Sequence, residues 1–185
     1  MHALPLLAID FETTGLDPNT DRIISVGMVD VHGLRIPLGS TEHFLVAPGE
    51  EVGQSAIIHR LTDDELLTHG IPVETAIDRV FERLAGRVLL AHHDMIEVGF
   101  LTALVRRLYG IRISIPSIDT LRLGQRALRI DHDHKPESLR LWRLRARAGL
   151  PSYRGHDALV DALGCAELYL ALVQELGLRD LRSAR

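Results

Sequence analysis

Two acidic residues one apart, Asp10 and Glu12, follow an apolar run at residues 4–9 that has the character of a β-strand. Strand alternation sends both carboxylates to one face and Phe11, between them, to the other. Two hard anions placed this way can share one cation. An oxygen-only donor set suits magnesium or manganese better than zinc, which favours histidine or cysteine. The same pair is also an ordinary acidic strand end, so the chemistry depends on partners elsewhere in the chain.

Those partners stand about 150 residues away, in His156-Asp157-Ala158-Leu159-Val160-Asp161-Ala162, a segment that reads as the opening of a late helix. Five residues apart, His156 and Asp161 are roughly 140° apart around a helix axis. Asp161 sits among Ala158, Val160, Ala162 and Leu163, an apolar setting in which an unpaired carboxylate is costly and a cation is a natural partner. His156, read as part of the first turn, approaches from the side and can take a proton from water near neutral pH. Between the two motifs, Leu89 to Leu101 reads as a strand running into a helix, with Glu97 beside the buried stripe of Ile96, Phe100 and Leu101. Glu97 is placed to reach a second metal, directly or through water. Asp94, one turn earlier, competes for that role, and either acid also suits a first helical turn through the helix dipole alone.

The elements that must position these residues are legible as pattern. Residues 4–9, 22–31 and 43–46 read as three strands of an antiparallel meander, with turn chemistry at Thr14 to Asn19. The capping-box spacing of Thr62 and Glu65 starts a short helix. Pro72 suits a first turn, and apolar residues from Val73 to Leu84 recur at helical spacing up to Gly86. Residues 88–91 read as a buried strand, 93–109 as a helix stopped by Gly110, and 113–118 as a last strand ending at Asp119. Residues 121–130, 138–148 and 156–176 read as helices. Strands first and then alternating helices and strands give an α/β domain with a mixed five-stranded sheet flanked by helices.

With 185 residues, 46% of them hydrophobic, and no linker-like stretch, one compact domain is expected over residues 1–178, followed by a short tail at 179–185. The N-terminus lacks a secretory pattern and no apolar run is long enough to span a bilayer, so a soluble, cytoplasmic protein with no membrane association is expected. Cys165, the only cysteine, lies in an apolar helical series and reads as a buried, inert thiol. A net charge of −4 argues against coating nucleic acid by bulk electrostatics. Eight basic residues nevertheless fall in one window, Arg122, Arg126, Arg129, Lys135, Arg140, Arg143, Arg145 and Arg147, either as a phosphate-facing patch or as a solvated helix face. At 4% aromatic content, extensive base stacking is not expected.

Asp10-Phe11-Glu12-Thr13-Thr14-Gly15-Leu16, the segment from Ala91-His92-His93 to Phe100-Leu101, and His156-x-Ala158-Leu159-x-Asp161-Ala162 resemble the three motifs of the DEDDh exonucleases, most closely the proofreading epsilon subunits of bacterial replicative polymerases. Ile58-His59-x-Leu61-Thr62 and Ile118-Asp119-Thr120-Leu121 add weaker matches in the same order. The resemblance implies a ribonuclease H-like fold, two magnesium or manganese ions, and release of nucleoside 5′-monophosphates from the 3′ ends of single-stranded nucleic acid, DNA favoured over RNA. It implies that Asp10, Glu12 and Asp161 bind metal and that His156 is the general base, with Glu97 read as the ligand at the second metal in place of the family's aspartate. It also implies that Thr13, Thr14, Gly15, Ile58 and His59 cradle the terminal nucleotide, and Leu16, in the turn after the acids, is placed to wedge against the last base as an apolar side chain. The chain departs from the family in its second motif, where Glu97 replaces an aspartate and His93 an asparagine, and Arg60 stands where a glycine follows the histidine. An RNA-directed enzyme resembling oligoribonuclease and a catalytically weakened nucleic-acid-binding module are the rival readings, and since the tail is shorter than the polymerase-binding tail of the proofreading subunits, a polymerase partner is possible but not indicated.

Overall fold

The computed structural model describes residues 5–47, 63–129 and 136–178. Ile58, His59 and Thr62 lie outside them. Strand β1 (Leu6–Thr13) is the centre of a five-stranded sheet; β2 (Ile23–Val31) pairs with it antiparallel, and β3 (Glu42–Leu45) pairs antiparallel with β2. On the other side β4 (Val88–Ala91) runs parallel to β1, and β5 (Ser117–Asp119) parallel to β4, giving the mixed order β3-β2-β1-β4-β5. Helices α1 (Asp63–His69) and α2 (Val73–Leu84) precede β4, and α3 (Met95–Tyr109) connects β4 to β5. After β5 come α4 (Thr120–Leu128), α5 (Leu141–Arg147) and α6 (Ala158–Glu175). No described helix is long and apolar enough to cross a membrane.

The sheet is covered on both faces, which is why β1 and β2 are nearly continuous apolar runs rather than alternating ones. Leu7, Ile9 and Phe11 face one core, packed with Ile77 and Val80 of α2 and Phe100 and Leu104 of α3. Leu6 and Ala8 face the other, with Leu123 of α4, Leu144 of α5 and Ala162, Leu168 and Leu172 of α6. Period-two alternation therefore carries Asp10 and Glu12 onto the α6 side. Phe11 is core, and so is Cys165, buried as its apolar neighbours predict.

Four elements differ from expectation, the first being α3, which starts at Met95 rather than at 93 because His93 is left-handed (φ 77°). The last strand shrinks to Ser117–Asp119, because Pro116 has no N–H to donate to a ladder. The expected helix at 138–148 divides into a 3₁₀ turn, Pro136–Leu139, and α5, since Arg140 between them is extended (ψ 143°). The last helix starts two residues late: His156 has a left-handed backbone (φ 66°), and Asp157 caps α6 by accepting from the Val160 N–H at 3.1 Å.

Candidate metal centre

Asp10 lies opposite Gly27 in the β1–β2 ladder. A β-carbon at Gly27 would overlap the Ala158 carbonyl, so the bare backbone here lets the first turn of α6 rest directly on the sheet beside Asp10. Asp161, one turn into α6, is thereby brought down onto the two strand acids. Carboxylate oxygens of Asp10, Glu12 and Asp161 lie within 4.8 Å of one another. The backbone N–H of His156 donates to Asp161 Oδ2 at 2.8 Å, fixing that carboxylate and holding His156 at the rim. His156 is thus not a member of the helix, and its place relative to Asp161 is set by this hydrogen bond and its left-handed turn rather than by helical spacing.

The fourth acid arrives from the opposite layer. The β4 ladder on β1 ends at Ala8, leaving the later part of that edge of β1 free. Glu97, in the first turn of α3, is buried on this side, with the Phe11 backbone N–H favouring its charged form. Its Oε2 is buried without a hydrogen-bond partner among the described residues, and Glu97 is the strongest charged neighbour of Asp10. Asp94 points elsewhere, accepting from Ser117 Oγ at 2.5 Å and lying 3.9 Å from Arg122.

Burial is the main reason these acids hold their protons tightly, and crowding adds to it. Asp10 is pushed well above the ordinary carboxylate range by burial and by Glu97, Asp161 and Glu12. Burial with Asp161 and Asp157 raises Glu12 to about 7, and burial with Asp119 and Asp94 raises Glu97 to about 8. Asp161 is raised by burial, against the pull of the His156 N–H. Four gathered carboxylates, one with an unpartnered oxygen, and no described cation among them form a donor set that fits hard divalent metal ions.

The turn after Glu12 is held by its own polar groups. Thr13 Oγ1 donates to the Gly15 carbonyl at 2.7 Å, and Thr14 Oγ1 to Asp21 Oδ1 at 3.1 Å. Asp21 also accepts from the Asp17 N–H at 2.8 Å, and its carboxyl fills the space where a β-carbon on Gly15 would project. Leu16 is left 76% exposed at the tip. Asp21 escaped the motif reading because an acid in a polar turn looks solvated.

Asp119, marked in the sequence only by its strand-to-helix step, is an organiser of the site. It is buried, caps α4 through the Leu121 N–H at 2.8 Å and accepts the His93 N–H at 2.8 Å. The second bond holds the left-handed residue (φ 77°) from which α3, and with it Glu97, departs.

The basic window is not one patch. Arg145 is buried, ion-paired with Glu167 at 2.8 Å and bonded to the carbonyls of Gly164 and Pro151, so it ties α5 to α6. Arg147 pairs with Glu175, and Arg122 faces Asp94 and Asp119. Arg140 instead lines a cleft of about 540 Å³ whose walls include Asp10, His156 and Asp161.

Residues 7–169 match a family model described as an exonuclease, RNase T. The epsilon subunit of DNA polymerase III from Treponema pallidum is 32% identical over 170 residues, covering 90% of this chain and 75% of that protein. A PolC-type DNA polymerase III from Thermotoga maritima is 29% identical over 168 residues, which are 91% of this chain but only 12% of the relative. Among solved structures, E. coli exonuclease I in complex with a dT13 oligonucleotide superimposes with a TM-score of 0.77 at 18% identity, over 94% of this chain and 42% of that one. The fold is accordingly ribonuclease H-like.

Proposed function

This chain belongs to the RNase T exonuclease family, and from that membership we propose that it is a 3′-to-5′ exonuclease that degrades single-stranded DNA to nucleoside 5′-monophosphates with two magnesium or manganese ions. The observation that carries the proposal is the meeting of Asp10, Glu12 and Asp161 within 4.8 Å, with the unpartnered Oε2 of Glu97 behind them. Asp10, Glu12, Asp161 and Glu97 would hold the cations. Bound there, such ions neutralise the scissile phosphate and acidify water.

The chain's own groups do the rest. His156, exposed at the rim, takes the proton of the attacking water. Its backbone bond to Asp161 couples the base to a metal-holding carboxylate. The Thr13-Thr14-Gly15 turn receives the terminal nucleotide, and Leu16 packs against its base. Ile58 and His59 join that cradle on the strength of the sequence resemblance alone. DNA is favoured because the epsilon subunit relative and the oligonucleotide-bound exonuclease I both handle it. The site of action is the cytoplasm, and a polymerase partner is not required by any feature described.

The test is a product ladder from end-labelled single-stranded DNA with magnesium or manganese, run beside two- to five-nucleotide RNA. Stepwise mononucleotide release from the 3′ end is expected. His156→Ala should lower the rate roughly 10²- to 10⁴-fold, the usual range for a general base, and Asp10→Ala should lower it at least as far. A faster rate on the short RNA would reassign the substrate, and release unaffected by either substitution would refute the mechanism.

A further inference from the structure

The cleft that contains Asp10, His156 and Asp161 continues onto a wall the acids do not explain. Trp142, the only tryptophan, lines it and is 52% exposed; Tyr153, 39% exposed, lines it too. A large aromatic left this open on a short helix contributes little to a core. Both rings are backed by cations. The Arg143 guanidinium lies 3.9 Å from the Trp142 ring centroid, and that of Arg145 4.4 Å from the Tyr153 ring. Tyr153 is anchored further through its hydroxyl, which donates to Glu167 at 2.9 Å, the same carboxylate that pairs with buried Arg145. Each ring is thus held from one side, leaving its other face for a ligand. Arg140 on the same wall pairs only with its exposed neighbour Glu137 among the described residues.

We infer that Trp142, with Tyr153 beside it, is a stacking platform for an unpaired base of the strand whose phosphate lies at the acids, with Arg140 meeting the backbone. The inference rests on the proposed function and specifies its substrate. Continuity with the acidic centre selects the occupant: a polyanion reaching Asp10 and Asp161 along this cleft passes the aromatic rings and a surface arginine. Stacking is tolerant of base identity but needs a free ring face, which a base inside a duplex does not offer. The wall therefore selects single strands without selecting sequence.

The lone tryptophan makes the platform directly observable. The wild-type chain with magnesium is titrated with a dT oligomer whose 3′-terminal linkages resist hydrolysis, following tryptophan fluorescence together with anisotropy of a dye on the oligomer. Saturable quenching that tracks anisotropy is expected, and a blunt duplex should quench far less. With a cleavable oligomer, Trp142→Ala should raise KM about tenfold, the scale of one lost base–aromatic stack, while kcat at saturation changes much less. Trp142→Phe should restore most of the loss. Binding by anisotropy without quenching, an unchanged KM in Trp142→Ala, or no binding by either signal overturns the platform. Quenching without hydrolysis would leave it standing and refute the nuclease proposal instead; hydrolysis with no quenching and unchanged KM would do the reverse.

Discussion

A buried carboxylate oxygen left without a hydrogen bond is expensive, and among the described residues Glu97 keeps one beside Asp10. Such a group is tolerated when a ligand completes it. Replacing it by its neutral isostere separates the two sides of that statement. Glu97→Gln should raise the melting temperature in EDTA at about pH 8, by removing a charge next to Asp10, while lowering magnesium-dependent cleavage at least about tenfold, the scale of even an outer-sphere loss at a metal site. Thermal melts and initial rates check both; unaltered cleavage would mean that Glu97 takes no part in metal holding. At this scale much was visible beforehand. Asp10, Glu12 and Asp161 announced themselves by spacing and apolar setting. The choice between Glu97 and Asp94 did not, because both belong to the start of one helix and only the turn at His93, pinned by Asp119, decides which points inward. Apolar periodicity extends the last helix to His156, which lies outside it, since a left-handed residue leaves no mark in that pattern.

Between elements, the governing contact is that of α6 with the sheet at Gly27. A methyl group there meets the Ala158 backbone and must push the helix away, carrying Asp161 with it. Gly27→Ala is expected to cost about 1–3 kcal/mol in urea unfolding, as overpacking does, and to lower cleavage about a hundredfold, the effect of a displacement near one ångström. Loss of stability with full activity would show that Asp161 is positioned otherwise. Nothing in the sequence marks this glycine, which stands in an apolar strand where it reads only as a weak point; its reason is a helix 131 positions later. The sheet's strands and most helices were legible because burial imposes period on them. Arg145 was not, because a long cation looks solvated until its carbonyl and carboxylate partners are known.

For the whole molecule, the crowded acids tie folding to pH and to metal. Glu12 and Glu97 have folded values raised to about 7 and about 8, above those of an unfolded chain. The native state therefore binds their protons more tightly. That stabilisation is complete below the unfolded values, near 4.5, and is lost as pH rises through the folded ones. In EDTA the melting temperature should fall between about pH 5 and pH 8. Magnesium or manganese should recover it at the upper pH more than at the lower, since protons and cations compete for the same oxygens. Equal metal effects at both pH values would break the link between the acids and the cations.

The four carboxylates come from β1, α3 and α6, and no two of these elements are neighbours in sequence. A nascent chain carrying Asp10, Glu12 and even Glu97 has no Asp161 to close the ring and no α6 to seat on Gly27. Under the proposed function, hydrolytic competence is therefore conferred only once α6 has been made, and all at once, so polypeptides and fragments that end before α6 are expected not to cleave.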